Sequence, residues 1–128
     1  MDEVMEKDDK MGKEKIEEFD ISLWVESQKE GYKKREEKRR AFLNSLIKKL
    51  IDYFKDREVK EVYIIGSILE EGNFYEFSDI DMAVRGLKDG YSKVYGDLEE
   101  IAERTIDLIE LERCSFRDIL KKRGLRII

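Results

Sequence analysis

The stretch YIIGSILEEGNFYEFSDIDMAVRG, residues 63–86, decides how the rest of the chain is read. It begins in an apolar, β-branched run that ends at Gly66-Ser67. It closes in a second run, where Ile80, Met82 and Val84 alternate with Asp79, Asp81, Ala83 and Arg85. The first run, residues 62–65, has the length and composition of a buried strand. The second has the period of two of a half-buried strand, which turns Asp79 and Asp81 to one face and the large apolar residues to the other. Two carboxylates beside a core require compensation, either a bound cation or open water.

Outward from this stretch the periodicity changes. Upstream, Phe42, Leu43, Leu46, Ile47, Leu50, Ile51, Tyr53 and Phe54 recur at three- and four-residue spacing, which predicts a helix over residues 32–55. The run KKREEKRR, residues 33–40, reads as the solvated face of that helix with mixed i,i+4 ion pairs; a nucleic-acid or partner-binding face is the alternative. Gly31 is expected to interrupt the helical pattern. Residues 16–25, with Ile16, Phe19, Ile21, Leu23, Trp24 and Val25, suggest a short helix or docking segment, and residues 1–12 a mobile tail. Downstream, residues 92–104 read as an amphipathic helix and TIDLIELE, residues 105–112, as a third strand. A short helix capped by Ser115 and closed by Gly124 follows, then a terminal strand LRII. The sum is an α/β domain over residues 13–128: a small mixed β-sheet flanked by helices, with helices over 13–57 and a core over 60–128.

Composition limits the chemistry. A chain of 128 residues that is 41% hydrophobic supports one core, and 45% charged residues imply a heavily solvated surface. No apolar run approaches the roughly 18 residues of a membrane span, and the charged N-terminus does not read as a signal peptide. There is no histidine and one cysteine, Cys114, which excludes ordinary structural zinc sites. Any metal must be held by oxygen. The lone cysteine suits a reducing cytoplasm, and the net charge of −5 disfavours nucleic acid as a partner.

Asp79 and Asp81 on one strand face suit a small hard cation, since Mg²⁺ is commonly held by one or two carboxylates plus substrate phosphates. Gly66-Ser67 at a strand end suits an anion, through close backbone approach, free N–H groups and a hydroxyl. Each motif alone has a plain reading, a solvated acid pair or a simple turn. Asp107 adds a third carboxylate if its strand lies beside residues 79–85. Three such carboxylates suit two divalent ions roughly 3.5–4 Å apart at an in-line displacement on phosphorus.

The succession of apolar strand, Gly66-Ser67, Ser78-Asp79-Ile80-Asp81 and then Asp107 resembles the polymerase-β-like nucleotidyltransferase superfamily, and within it the minimal nucleotidyltransferases of antitoxin type. The resemblance spans residues 60–128. It implies that Gly66 and Ser67 hold the β- and γ-phosphates of ATP or another nucleoside triphosphate. It implies equally that Asp79, Asp81 and Asp107 bind two Mg²⁺ ions, with Asp107 helping to activate an acceptor hydroxyl. The implied reaction is transfer of a nucleoside monophosphate, AMP first, to a hydroxyl on a protein partner such as a helical HEPN-type toxin. The segment after Ser67, Ile68-Leu69-Glu70-Glu71-Gly72, departs from the family in lacking a small residue and an arginine. A binding module of the same fold without efficient turnover is therefore the alternative, and the aromatics Phe74, Tyr75 and Phe77 offer either base stacking or loop packing.

Overall fold

The computed structural model describes the backbone from Asp2 to Ile128 and the side chains from Ile21 onward. The tail expected over residues 1–12 lies outside the described side chains. The chain divides into two compact units, Met1–Lys34 and Arg35–Ile128. The first is helical, the leading part of α1 (Asp2–Phe54). The interruption expected at Gly31 does not occur. One glycine costs a helix about 1 kcal/mol relative to alanine but keeps its N–H in the ladder, and the chain has no proline. In this unit Ile21, Leu23 and Trp24 are exposed.

The second unit contains the rest of α1 and, in order, β1 (Glu61–Ile65), β2 (Ile80–Arg85), α2 (Tyr91–Ala102), β3 (Ile106–Glu110), α3 (Arg117–Arg123) and β4 (Leu125–Arg126). The sheet order is β3-β2-β1-β4. β1 pairs antiparallel with β2 and with β4, and β2 pairs parallel with β3, so the sheet is mixed and the fold is the expected α/β class. The third strand is shorter than its sequence pattern. Leu111–Arg113 form a 3₁₀ turn instead, because Leu111 is drawn fully into a core and the chain bends there. α3 begins after Phe116, and Ser115 makes no side-chain cap.

Strand alternation gives the sheet two faces with different duties. On the first, Val62, Ile64, Ile80, Met82, Val84, Ile106 and Leu108 are buried. They meet Leu46, Leu50 and Phe54, one i,i+4 stripe of α1, and Val94, Leu98 and Ala102, one stripe of α2. Burying each large side chain contributes roughly 1.5–3 kcal/mol. Polar contacts fix α1 against α2 at its end: Tyr53 Oη donates to Asp97 (2.7 Å), and Arg57 pairs with Asp89 (2.9 Å) while lying over the Tyr53 ring. The second face has a smaller apolar cluster of Tyr63, Ile65, Ala83 and Leu111, with Ile109 and Leu120 against it. Among the described residues no helix is long and apolar enough to cross a membrane.

Glu61, at the start of β1, is buried on this second face with a side chain only 5% exposed. Arg85 across the strand pair, Lys121 of α3 and Arg126 of β4 surround its carboxylate, and Tyr63 Oη donates to it. The Arg85 hydrogen bond foremost, then Lys121 and Tyr63, outweigh burial and depress its pKa from 4.5 to about 2. A carboxyl that ionises more readily folded than unfolded contributes stability in full above the unfolded pKa and loses it as pH falls through the folded one. Glu61→Gln is therefore expected to lower the unfolding free energy at pH 7 by about 1–3 kcal/mol. In urea titrations the gap to the parent protein should narrow steadily from pH 5 to pH 2; a gap independent of pH contradicts the account.

Candidate functional site

The site begins where β1 stops. Gly66 adopts φ +82°, a conformation that side-chain-bearing residues rarely enter. A Cβ at this position would collide with the Asp81 carboxylate, whose Cγ lies 3.1 Å from where it would sit. Glycine thus meets two demands, a left-handed turn and a close approach to an acid. The chain then makes a single 3₁₀ turn, Ser67–Leu69, closed by Leu69 N–H to Gly66 O (3.1 Å) and Glu70 N–H to Ser67 O (3.0 Å). Ile68 is buried in the main core and anchors the turn.

Sheet register brings the acids to this turn. Ile65 is the cross-strand partner of Asp81, and Asp81 is the partner of Asp107. Partners in one ladder share a face, with neighbouring strands about 4.8 Å apart. Ile65, Asp81 and Asp107 therefore form one row across β1, β2 and β3 on the second face. Asp79 stands immediately before β2 and is exposed, as is Asp107, whereas Asp81 is half-buried. Burial chiefly, then the charges of Asp107 and Asp79, push the Asp81 pKa up. Among the described residues, no group of three or more His, Cys, Asp or Glu side chains is drawn together closely enough to form a ready metal cage. The donor set still suits Mg²⁺, which keeps waters and takes substrate phosphates as ligands rather than requiring an all-protein cage.

The five residues singled out in the sequence thus converge by backbone position: Gly66 and Ser67 at the end of β1, Asp81 and Asp107 in one row beside it, and Asp79 at the mouth of β2. Three charged residues that hold the surrounding loop were not evident in the sequence. The run at residues 33–40 is not wholly a solvated face, because Glu36 and Arg39 within it are buried. Glu36 accepts from Gly72 N–H (2.7 Å), and Arg39 donates to Glu36 (2.8 Å) and to Ile68 O (3.0 Å). Arg104, just before β3, donates to Tyr75 O and Ser78 O, both at 2.9 Å. Its guanidinium lies against the Phe42 and Phe74 rings. No signal in a single sequence marks these three, since their backbone partners, carbonyls for the two arginines and an N–H for Glu36, lie 26–36 residues away. The loop aromatics divide. Phe74 packs on Phe42 in the core, while Tyr75 and Phe77 stack in parallel at 5.5 Å with Phe77 exposed.

A family model described as Polymerase beta, Nucleotidyltransferase matches residues 48–126. The chain belongs to this family of nucleotidyltransferases. The matched span runs from the end of α1 to β4 and contains the turn, the row of acids and the whole sheet. Two solved structures share the fold. One is a crystal structure of the toxin–antitoxin MntA-HpeT bearing two aspartate-to-glutamate substitutions two positions apart. It is 19% identical with a TM-score of 0.51, the match covering 64% of this chain and 71% of that one. The other is a toxin–antitoxin with AMP-PNP, 22% identical with a TM-score of 0.52, covering 64% and 72%. No curated protein matches the chain.

An acid whose ionised form is disfavoured in the folded state weakens that state at neutral pH. Asp81→Asn, nearly the same shape without the charge, is expected to raise the unfolding free energy at pH 7 by about 0.5–1.5 kcal/mol, as when a function-bearing strain is removed. A lower melting point in this variant, read by calorimetry, contradicts the account of Asp81 as a charge disfavoured by burial and its neighbours.

Proposed function

We propose that this nucleotidyltransferase moves a nucleoside monophosphate from a triphosphate, ATP first, to a hydroxyl on a protein partner. The observation that carries the reading is the row Ile65–Asp81–Asp107 against a glycine whose Cβ the Asp81 carboxylate excludes. That arrangement sets two strand carboxylates beside a strand-end turn. Gly66 and Ser67 bind the β- and γ-phosphates through backbone N–H groups and the Ser67 hydroxyl. Asp79, Asp81 and Asp107 are the catalytic residues and would hold two Mg²⁺ ions through their carboxylate oxygens, in a catalytic core over residues 60–128. When bound, the ions neutralise triphosphate charge and favour in-line displacement. The acceptor oxygen bonds to the α-phosphorus, the α–β bridging bond breaks, pyrophosphate leaves and Asp107 takes the hydroxyl proton.

The partner we assign is a helical HEPN-type toxin. Two fold relatives described as toxin–antitoxin, one with AMP-PNP, support this choice. So does the net charge of −5, which suits a protein acceptor better than a polyanionic one. We place the chain in the cytoplasm, where Cys114, free and buried, stays reduced. A second reading, a partner-binding module with weak turnover, is favoured by one feature: residues 66–79 contain no lysine or arginine, while Glu70 and Glu71 are exposed there.

The purified chain is incubated with Mg²⁺ and each α-labelled triphosphate, with and without the product of the adjacent gene. Label is expected on the partner protein, falling about a thousandfold in Asp79→Asn and Asp81→Asn, the scale set by lost charge stabilisation of the transition state. Mg²⁺-ATP at about 100 times its Kd should also raise stability by about 2.7 kcal/mol in a thermal scan. The absence of both transfer and a thermal shift, for every triphosphate, rules out the catalytic reading. A shift without transfer selects the binding module.

A further inference from the structure

The turn that follows Gly66-Ser67 has no cation of its own, yet it is held by one from α1. Arg39 and Glu36 sit on the same helix three residues apart, with side chains 10% and 11% exposed. Their bonds form a chain rather than a simple pair. Glu36 Oε1 accepts from Gly72 N–H at 2.7 Å, and Glu36 Oε2 accepts from Arg39 Nε at 3.1 Å and Nη2 at 2.8 Å. Arg39 Nη1 then donates to Ile68 O at 3.0 Å. One ion pair thereby fastens both ends of the segment 68–72, in which Glu70 and Glu71 are exposed.

Charge and geometry separate what this pair can do from what it cannot. The positive charge of Arg39 is spent on Glu36, so the unit is close to neutral and offers a triphosphate little attraction. It supplies position instead. An arginine fork can meet a carboxylate edge and a carbonyl at once, which an ammonium cannot do in the same geometry. A buried ion pair is in itself a poor source of stability compared with an apolar one. Here its hydrogen bonds end on two loop backbone groups, so its effect falls on the loop that leads out of Gly66-Ser67.

We propose that Glu36 and Arg39 are positioning residues for the phosphate turn, fixing residues 68–72 so that Gly66 and Ser67 face the triphosphate without a loop cation. The assignment rests on the nucleotidyltransferase reading above. It makes α1, outside most of the family match, part of the nucleotide site.

The test measures ATP affinity by calorimetry in the full chain with Mg²⁺, alongside Mn²⁺ affinity without nucleotide as a probe of the aspartate row. Arg39→Met is expected to raise the Kd for ATP about tenfold, the effect of one lost charge-assisted hydrogen bond, while Mn²⁺ affinity stays unchanged. Arg39→Lys should recover less than half of the loss. The ratio of variant to parent Kd should hold between about 50 and 500 mM salt, since a neutral clamp is not screened. Should Arg39→Met fail to fold, the near-isosteric Glu36→Gln takes its place, with a Kd increase of about threefold expected from a weakened pair. Unchanged ATP affinity in the folded variant, full rescue by lysine, or a ratio that collapses with salt overturns the clamp. Parent protein that binds no triphosphate at all overturns the nucleotidyltransferase reading instead, and the Mn²⁺ arm shows whether the aspartate row survives it.

Discussion

The pairing of β1, β2 and β3 is the constraint on which both the core and the site depend. Side chains alternate with a period of two along a strand, so the register that buries Ile64, Met82 and Leu108 on one face must set Ile65, Asp81 and Asp107 on the other. A slip of one residue would drive carboxylates under α1 and α2 and turn the aliphatic row to the site. The apolar face thus enforces the acidic one. Its buried aliphatics supply the stability against which Asp81, half-buried beside two like charges, is held.

The second face is divided along its length. Near Glu61 it is stabilised by compensated charge, with Arg85, Lys121 and Arg126 converging on one carboxylate. In the middle it is apolar, through Tyr63, Ala83 and Ile109. At the Gly66 end it carries uncompensated carboxylates. Arg85 lies on the same face as Asp81, but its guanidinium is bound to Glu61 at the other end of the strand pair. The polar groups on this face differ in a simple way: one end has its counter-charges built in, and at the other, among the described residues, the carboxylates have only each other's charge nearby.

The connection between β1 and β2 carries the turn at one end and Asp79 at the other, and it is held from outside itself. Glu36 and Arg39 fasten residues 68 and 72, Arg104 fastens residues 75 and 78, and Phe74 and Ile68 enter the core. Ser78 Oγ accepts from Tyr75 N–H, and Ser78 N–H donates to Tyr75 O, which closes the last bend before Asp79. A loop with so many fixed points sets the distance between Gly66-Ser67 and Asp79 as firmly as a regular element does.

Much of this was legible in the residues themselves. Period-two alternation in residues 79–85 and the β-branched run before Gly66 define two strands locally. The i,i+4 stripe of Leu46, Leu50 and Phe54 defines the covering helix, because such patterns express which side of an element meets water. Glycine at position 66, serine beside it and the spaced aspartates suggest phosphate and metal chemistry, on which the proposed function rests. Partner choice was not legible. That Asp107 lies beside Asp81 follows from a parallel pairing made across α2. That Glu61 is buried follows from cations on α3 and β4. That Glu36 and Arg39 are buried follows from a loop more than 25 residues away folding over them. The continuity of α1 through Gly31 was likewise hidden, since a glycine weakens a helix without forbidding it. Local pattern in the residues was enough for which faces are apolar and where strands and helices fall. Only the tertiary structure decided which charges meet, because a charge's environment is set by its neighbours in space and a strand or helix pattern holds no record of them.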